Sequence, residues 1–255
     1  MSAAGAGQLG EAQIIDALIG LGDDHLVLGH RLSEWCGHAP MLEEDLAMPN
    51  MALDMLGQAR ALFSHAAELE GEGRSEDDIA YLRGDRAYRN CLLVERPNGD
   101  FAHTMLRQFY FAAFMQPYWQ AMIASSDQTL AAIAAKAVKE IAYHVRHAGE
   151  WVIRLGDGTE ESARRMQAAV DALHPYADEL LVTDAGVDLA LLPDRAAMRA
   201  PWQKTVDEVF REARLEIPDV PFPLSGGREG RHGEEFGYLL AELQYMQRAY
   251  PGMRW

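Results

Sequence analysis

The chain has 255 residues, 49% of them hydrophobic, enough to bury the core of one large domain or two small ones. Its 39 acidic and 23 basic residues give a formal net charge of -16 and a pI near 4.9, a surface that repels phosphate backbones and anionic lipid and so argues against general nucleic-acid or membrane-surface binding. Two cysteines, Cys36 and Cys91, both in contexts that read as helical, suit a reducing cytoplasm and supply no cysteine zinc site, and no run is apolar for long enough to cross a bilayer.

Residues 1–11 carry neither a basic n-region nor a long apolar run, so a disordered lead is expected rather than a signal peptide, followed by one domain over 12–255 in a cytoplasmic protein. Helical periodicity begins near Ala12, with Leu18, Leu21, His25, Leu28, Leu32 and Trp35 on one stripe, and ends at Gly37 and Pro40. A second helix opens near Met41 on the acidic turn Glu43, Glu44 and Asp45 and runs to about Leu69. Leu42, Leu46, Leu53, Leu56 and Phe63 mark its apolar side, and Pro49 should kink it. A shorter helical stretch over 76–94 breaks near Gly84, and Asn98 or Asp100 caps the next helix, FAHTMLRQFYFAAFMQPYWQAMIASS. Apolar on nearly every side, that helix should be buried.

The best-defined helix runs from Asp127 to Leu155, with Ser126 or Asp127 as its cap and Gly156 as a left-handed stop. Its stripe, Leu130, Ile133, Ala137, Ile141, His144 or Val145, Ala148, Val152 and Leu155, carries Glu140 at its edge, a carboxylate that needs a partner. Amphipathic helices follow over about 159–181, bent or ended by Pro175, and over about 201–215. The proline- and glycine-rich segment IPDVPFPLSGGREGRHG reads as an extended loop, and a last helix spans about 234–249. No convincing strand pattern occurs. The fold class is all-α, built on long antiparallel helices with additional C-terminal helices.

Two successive pairs of long helices are the frame of a carboxylate-bridged di-metal bundle, which needs a carboxylate on one helix of each pair and Glu-x-x-His on the other. The ligands are largely missing. The nearest matches are Asp54-Met-Leu-Gly57 and Glu140-Ile-Ala-Tyr143, with Asp23 and Asp24 about thirty residues before the first and Gln108 or Phe109 before the second. Losing both imidazoles leaves too few donors for two cations, so Asp54 and Glu140 are expected in buried hydrogen bonds or ion pairs. His144, four residues from Glu140, is a further member of this degenerate site. Asp100/His103 and Asp171/His174 read as capping and surface pairs, and Glu229-Gly-Arg-His232 as part of a loop. Lys136, Lys139 and Arg146 read as a solvated helix face. No nucleophile elbow or phosphate loop occurs, and Cys36 reads as a core thiol.

The segments GDDHLVLGHRLSEWCGHAPMLEEDLA, LDMLGQAR, LLVERPNGDFAHTMLRQFYF, AAKAVKEIAYHVRH and AELQYMQR, with the terminal Trp255, resemble the PaaC subunits of bacterial phenylacetyl-CoA epoxidases, also called phenylacetate-CoA oxygenases. The resemblance covers nearly everything after residue 12. It implies a ferritin-like bundle that is a non-catalytic partner of a separate iron-bearing subunit, in a complex that epoxidises the aromatic ring of phenylacetyl-CoA during aerobic phenylacetate breakdown. A small accessory subunit, a reductase and a second copy of the chain are the further partners expected, with no metal or other cofactor in this chain. Gly57 and Tyr143, at the two histidine positions, agree with that. Glu34, Trp35, His38 and Pro40, at the junction of the first two helices, are the interface candidates. Two rivals stand beside this reading: a metal-dependent oxidase with atypical ligands, and a helical acyl-CoA-binding regulatory protein with Glu140, Tyr143 and His144 lining its pocket.

Overall fold

A computed structural model describes the backbone of residues 3–253 and the side chains of residues 12–253. The expected lead over 1–11 falls on the stretch whose side chains lie outside the described residues. Ten α-helices and four short 3-10 segments make up the described chain, with no strand among them. The four long helices are α1 (Ala3–Ser33), α2 (Leu42–Glu70), α5 (Phe101–Met122) and α6 (Gln128–Gly156), and between the two pairs lie the short α3 (Glu76–Tyr81) and α4 (Leu92–Glu95). The chain continues through α7 (Glu160–Leu173), α8 (Arg199–Ala213), α9 (Glu234–Leu243) and α10 (Tyr245–Ala249). Helix α1 packs chiefly on α2 and α5 on α6, and α2 meets α6 along a narrower seam. This is the expected all-α, ferritin-like pairing.

Local chemistry sets the helix limits. Asp100 caps α5 by accepting from the His103 N–H at 3.0 Å, and Asp127 caps α6 by accepting from Thr129 at 2.8 Å and Leu130 at 3.1 Å. Met41 gives α2 no side-chain cap. Instead Asp45 Oδ1 reaches back to the Gly37 N–H at 2.7 Å and ties down the connecting turn. Helix α5 is buried along most of its length, from Ala102 through Met122, because α6, α7 and α8 all lie against it. Its aromatic content is therefore core, and burying each large ring contributes roughly 2–3 kcal/mol.

Several expectations change. Leu42, Leu46 and Leu53 are not on the buried side of α2: they are 69%, 59% and 66% exposed, and Met48, Met51, Ala52, Met55, Ala59, Leu62 and Phe63 form the buried face instead. Apolar residues recur at helical spacing on both sides of this helix, leucines on one and mainly methionines and alanines on the other, and periodicity cannot tell which row meets α1. Gly156 does not take a left-handed turn; it stays in α6, and Asp157 follows it as the cap. The reason for glycine is close packing, since a Cβ there would lie 2.5 Å from the Ala213 carbonyl oxygen on α8. Cys36 is exposed in the turn after α1, whereas Cys91 is buried ahead of α4, where burial raises its thiol pKa. The expected last helix is broken at Gln244 into α9 and α10.

Candidate functional site

The α2–α6 seam gathers part of the degenerate metal set. His144 is fully buried on α6, its Nε2 3.0 Å from Asp54 Oδ2 on α2 and its Nδ1 3.2 Å from Gln108 Nε2 on α5. An amide nitrogen can only donate, so Nδ1 is the acceptor and Nε2 carries the ring proton toward the carboxylate. Both ring nitrogens are thereby used. Next to this chain of bonds, Glu140 Oε2 accepts from Gln58 Nε2 at 2.9 Å, and Glu140 Oε1 lies 3.4 Å from Lys136 Nζ. The partner anticipated for Glu140 is thus an amide across the seam plus a lysine one turn back on its own helix.

The contacts across the seam come from positions four apart, Asp54 with Gln58 and Glu140 with His144. Gly57 and Tyr143, three apart from the carboxylates, face outward instead. Gly57 is exposed, with nothing within 4 Å of the position its Cβ would take. Tyr143 is 39% exposed and lies against His147, ring centroids 5.6 Å apart, with the Arg146 guanidinium also over its ring. His147 itself comes within 2.9 Å of Glu44 Oε2, off the axis a hydrogen bond requires.

Asp23 and Asp24 do not join this seam. Both are fully buried, yet they face the loops packed across α1. Asp23 holds the Arg83 guanidinium and accepts from the Arg89 N–H at 2.8 Å. Asp24 accepts from the Cys91 N–H and from Arg228 Nη2, each at 2.7 Å, with Arg195 Nη1 at 3.9 Å. The position on α1 nearer the seam's histidine is His25, whose Nδ1 lies 2.7 Å from the Leu21 carbonyl oxygen and whose ring sits edge-on to Phe111. Desolvation lowers its pKa to about 4, against the smaller effects of the Leu21 carbonyl and Asp24.

The glycine-rich loop is part of the same buried network. Glu179 accepts from the N–H groups of Leu92 and Gly226, both at 2.7 Å, and Glu95 accepts from the Gly233 N–H at 2.6 Å and pairs with His232 Nδ1 at 2.7 Å. His232 therefore serves Glu95, 137 positions earlier in the sequence, and not Glu229. The Asp100–His103 pair is present at 3.0 Å, whereas His174 is partnered by the Tyr110 hydroxyl at 2.9 Å and not by Asp171.

At the α1–α2 junction, Trp35 donates its indole N–H to Thr104 Oγ1 at 3.0 Å and packs edge-on to Phe101, while Glu34 is held by Arg31 and Asn98. Of the four interface candidates only His38 and Pro40 remain exposed without such an inward role.

This donor set does not fit a di-metal centre. His144 has no free lone pair, Gln108 offers an amide where a carboxylate is needed, Asp54 and Glu140 already have partners, and Gly57 and Tyr143 face solvent. Among the described residues no group of three or more His, Cys, Asp or Glu is arranged to hold a metal ion. The profile of the family described as Phenylacetic acid catabolic protein matches residues 4–255. The chain belongs to this family. It is similar to the PaaC subunit of the 1,2-phenylacetyl-CoA epoxidase of Escherichia coli (strain K12), 46% identical over 240 residues that cover 92% of this chain and 96% of the relative. The resemblance drawn from the sequence segments thus extends across nearly the whole of both chains. Within the family's bundle, this chain fills the seam with hydrogen bonds among its own side chains. No helix among the described residues is long and apolar enough to cross a membrane.

Proposed function

We propose that the chain is a non-catalytic subunit of a phenylacetyl-CoA epoxidase complex, a single helical domain in the cytoplasm that supports a separate di-iron subunit. Its similarity to the PaaC relative along almost the full length of both chains supports the complex. The observation that carries the non-catalytic role is the Asp54–His144–Gln108 chain of hydrogen bonds, which uses the donors a metal would require. Rigid paired helices can hold a neighbouring subunit's helices in place without contributing ligands. A small accessory subunit, a reductase and a second copy of this chain complete the proposed assembly.

Elemental analysis of the purified chain, alone and after co-expression with the iron-bearing subunit, tests this reading. The expected result is no stoichiometric metal in the isolated chain, with iron and ring epoxidation appearing only in the co-purified complex. About two irons per isolated chain, the complement of a ferritin-like site, would overturn it.

A further inference from the structure

The outer face of α2 and α6 combines two features. Leu42, Leu46, Pro49, Leu53 and Gly57 recur at three- and four-residue spacing along α2, and the three leucines are each more than half exposed. The row extends along about 22 Å of helix. Across the seam, the exposed charged side chains of α6 are Lys136, Lys139, Arg146 and Arg154 against a single Glu150, in a chain whose net charge is -16. Lys136, Lys139 and Lys204 are all the lysines of the sequence, so two of the three stand on this face. Tyr143 stands within the cationic row, against Arg146 and His147.

We propose that this face is where the iron-bearing subunit docks, through a helical surface with apolar residues at its centre and carboxylates at its edge. The inference rests on the proposed role as an epoxidase subunit. The leucine row supplies the dehydrated centre of such an interface, Gly57 lets a helix approach closely, and the α6 cations select an acidic rim. A second copy of this chain fits less well. Two-fold pairing sets the cationic row against itself or over the leucines, and between Leu46 and Arg60 the only α2 carboxylate is Asp54, already bound to His144. The occupant is therefore a different chain, complementary in charge.

The lysines provide the test. The chain alone and its purified complex with the iron-bearing subunit are acetylated with an N-hydroxysuccinimide ester, and modification at each lysine is followed by mass spectrometry. Protection of Lys136 and Lys139 by at least fivefold in the complex, with Lys204 on α8 unchanged, is expected. Leu46→Asp and Leu53→Asp, both at exposed positions, should weaken the complex at least tenfold and leave the melting temperature of the isolated chain unaltered. A complex that forms with Lys136 and Lys139 fully reactive overturns the placement and leaves the subunit role intact. Failure of any complex to form removes the subunit role and the docking face together. Protection that appears in the isolated chain as it dimerises overturns the choice of partner, because the face then joins two copies.

Discussion

His144 Nε2 lies 3.0 Å from Asp54 Oδ2, joining the buried centre of α6 to the half-buried edge of α2. Opposite it, Gln108 completes the ring's hydrogen bonding from α5. Asp54→Ala leaves a buried N–H unpaired and should cost about 1–3 kcal/mol of stability. Urea denaturation measures this, and a double-mutant cycle with His144→Ala should return a coupling of about 1 kcal/mol, whereas strictly additive losses would show that the contact contributes nothing.

Placing histidines at the two positions of the di-metal pattern should not create a metal site. In Gly57→His with Tyr143→His, both new side chains project to solvent from the outer side of the seam. Iron reconstitution followed by elemental analysis should find the double variant as metal-free as the parent. Gly57→Ala, by contrast, should stabilise the isolated chain by about 0.5–1 kcal/mol, because the site is open and glycine is a poor helix former.

Acid should weaken the fold through two histidines on α1. Desolvation lowers the pKa of His25 and of His30 from 6.5 to about 4. The unfolded chain takes up these protons near pH 6.5 and the folded chain only near pH 4. Stability is thus complete above pH 6.5 and falls as the pH drops toward 4, by up to roughly 3 kcal/mol for His25 and less for the partly exposed His30. Melting temperature against pH measures the slope, and His30→Gln should flatten part of it.

Asp24 and Arg228 should be jointly required for the C-terminal loop to stay in place. Asp24→Ala leaves the buried Arg228 guanidinium without its carboxylate, while Arg195 keeps Asp184 at 2.8 Å, and should cost about 3–5 kcal/mol in chemical denaturation. A steric disruption of the same loop is Gly227→Ala, whose Cβ would sit 2.1 Å from the Asn90 carbonyl oxygen and force the backbone to shift. Limited proteolysis should then cut within residues 226–233, where the parent resists.

Much of the fold is legible in the residues because its determinants are local. Asp100 and Asp127 cap the helices they precede, since a short carboxylate there meets free N–H groups whatever surrounds it. The all-apolar α5 is buried for the reason its composition implies. The candidate site is legible only in part. Asp54, Gln108, Glu140 and His144 do meet at one seam, but spacing alone does not show that positions four apart face inward while Gly57 and Tyr143, three apart, face out.

The sequence by itself determined the helices, their order, their pairing and membership of the family, because capping, periodicity and long matching segments are properties of contiguous residues. Only the tertiary structure decided which leucines of α2 face solvent, that Asp23 and Asp24 neutralise arginines from distant loops, and that His232 reaches Glu95. Each of these depends on the rotation of a helix against its neighbours or on contacts between residues more than fifty positions apart. Once Asp23, Asp24 and Glu95 are buried, each must meet its distant partner, because an unpaired buried charge is strongly destabilising, and that requirement exists only once the chain has folded.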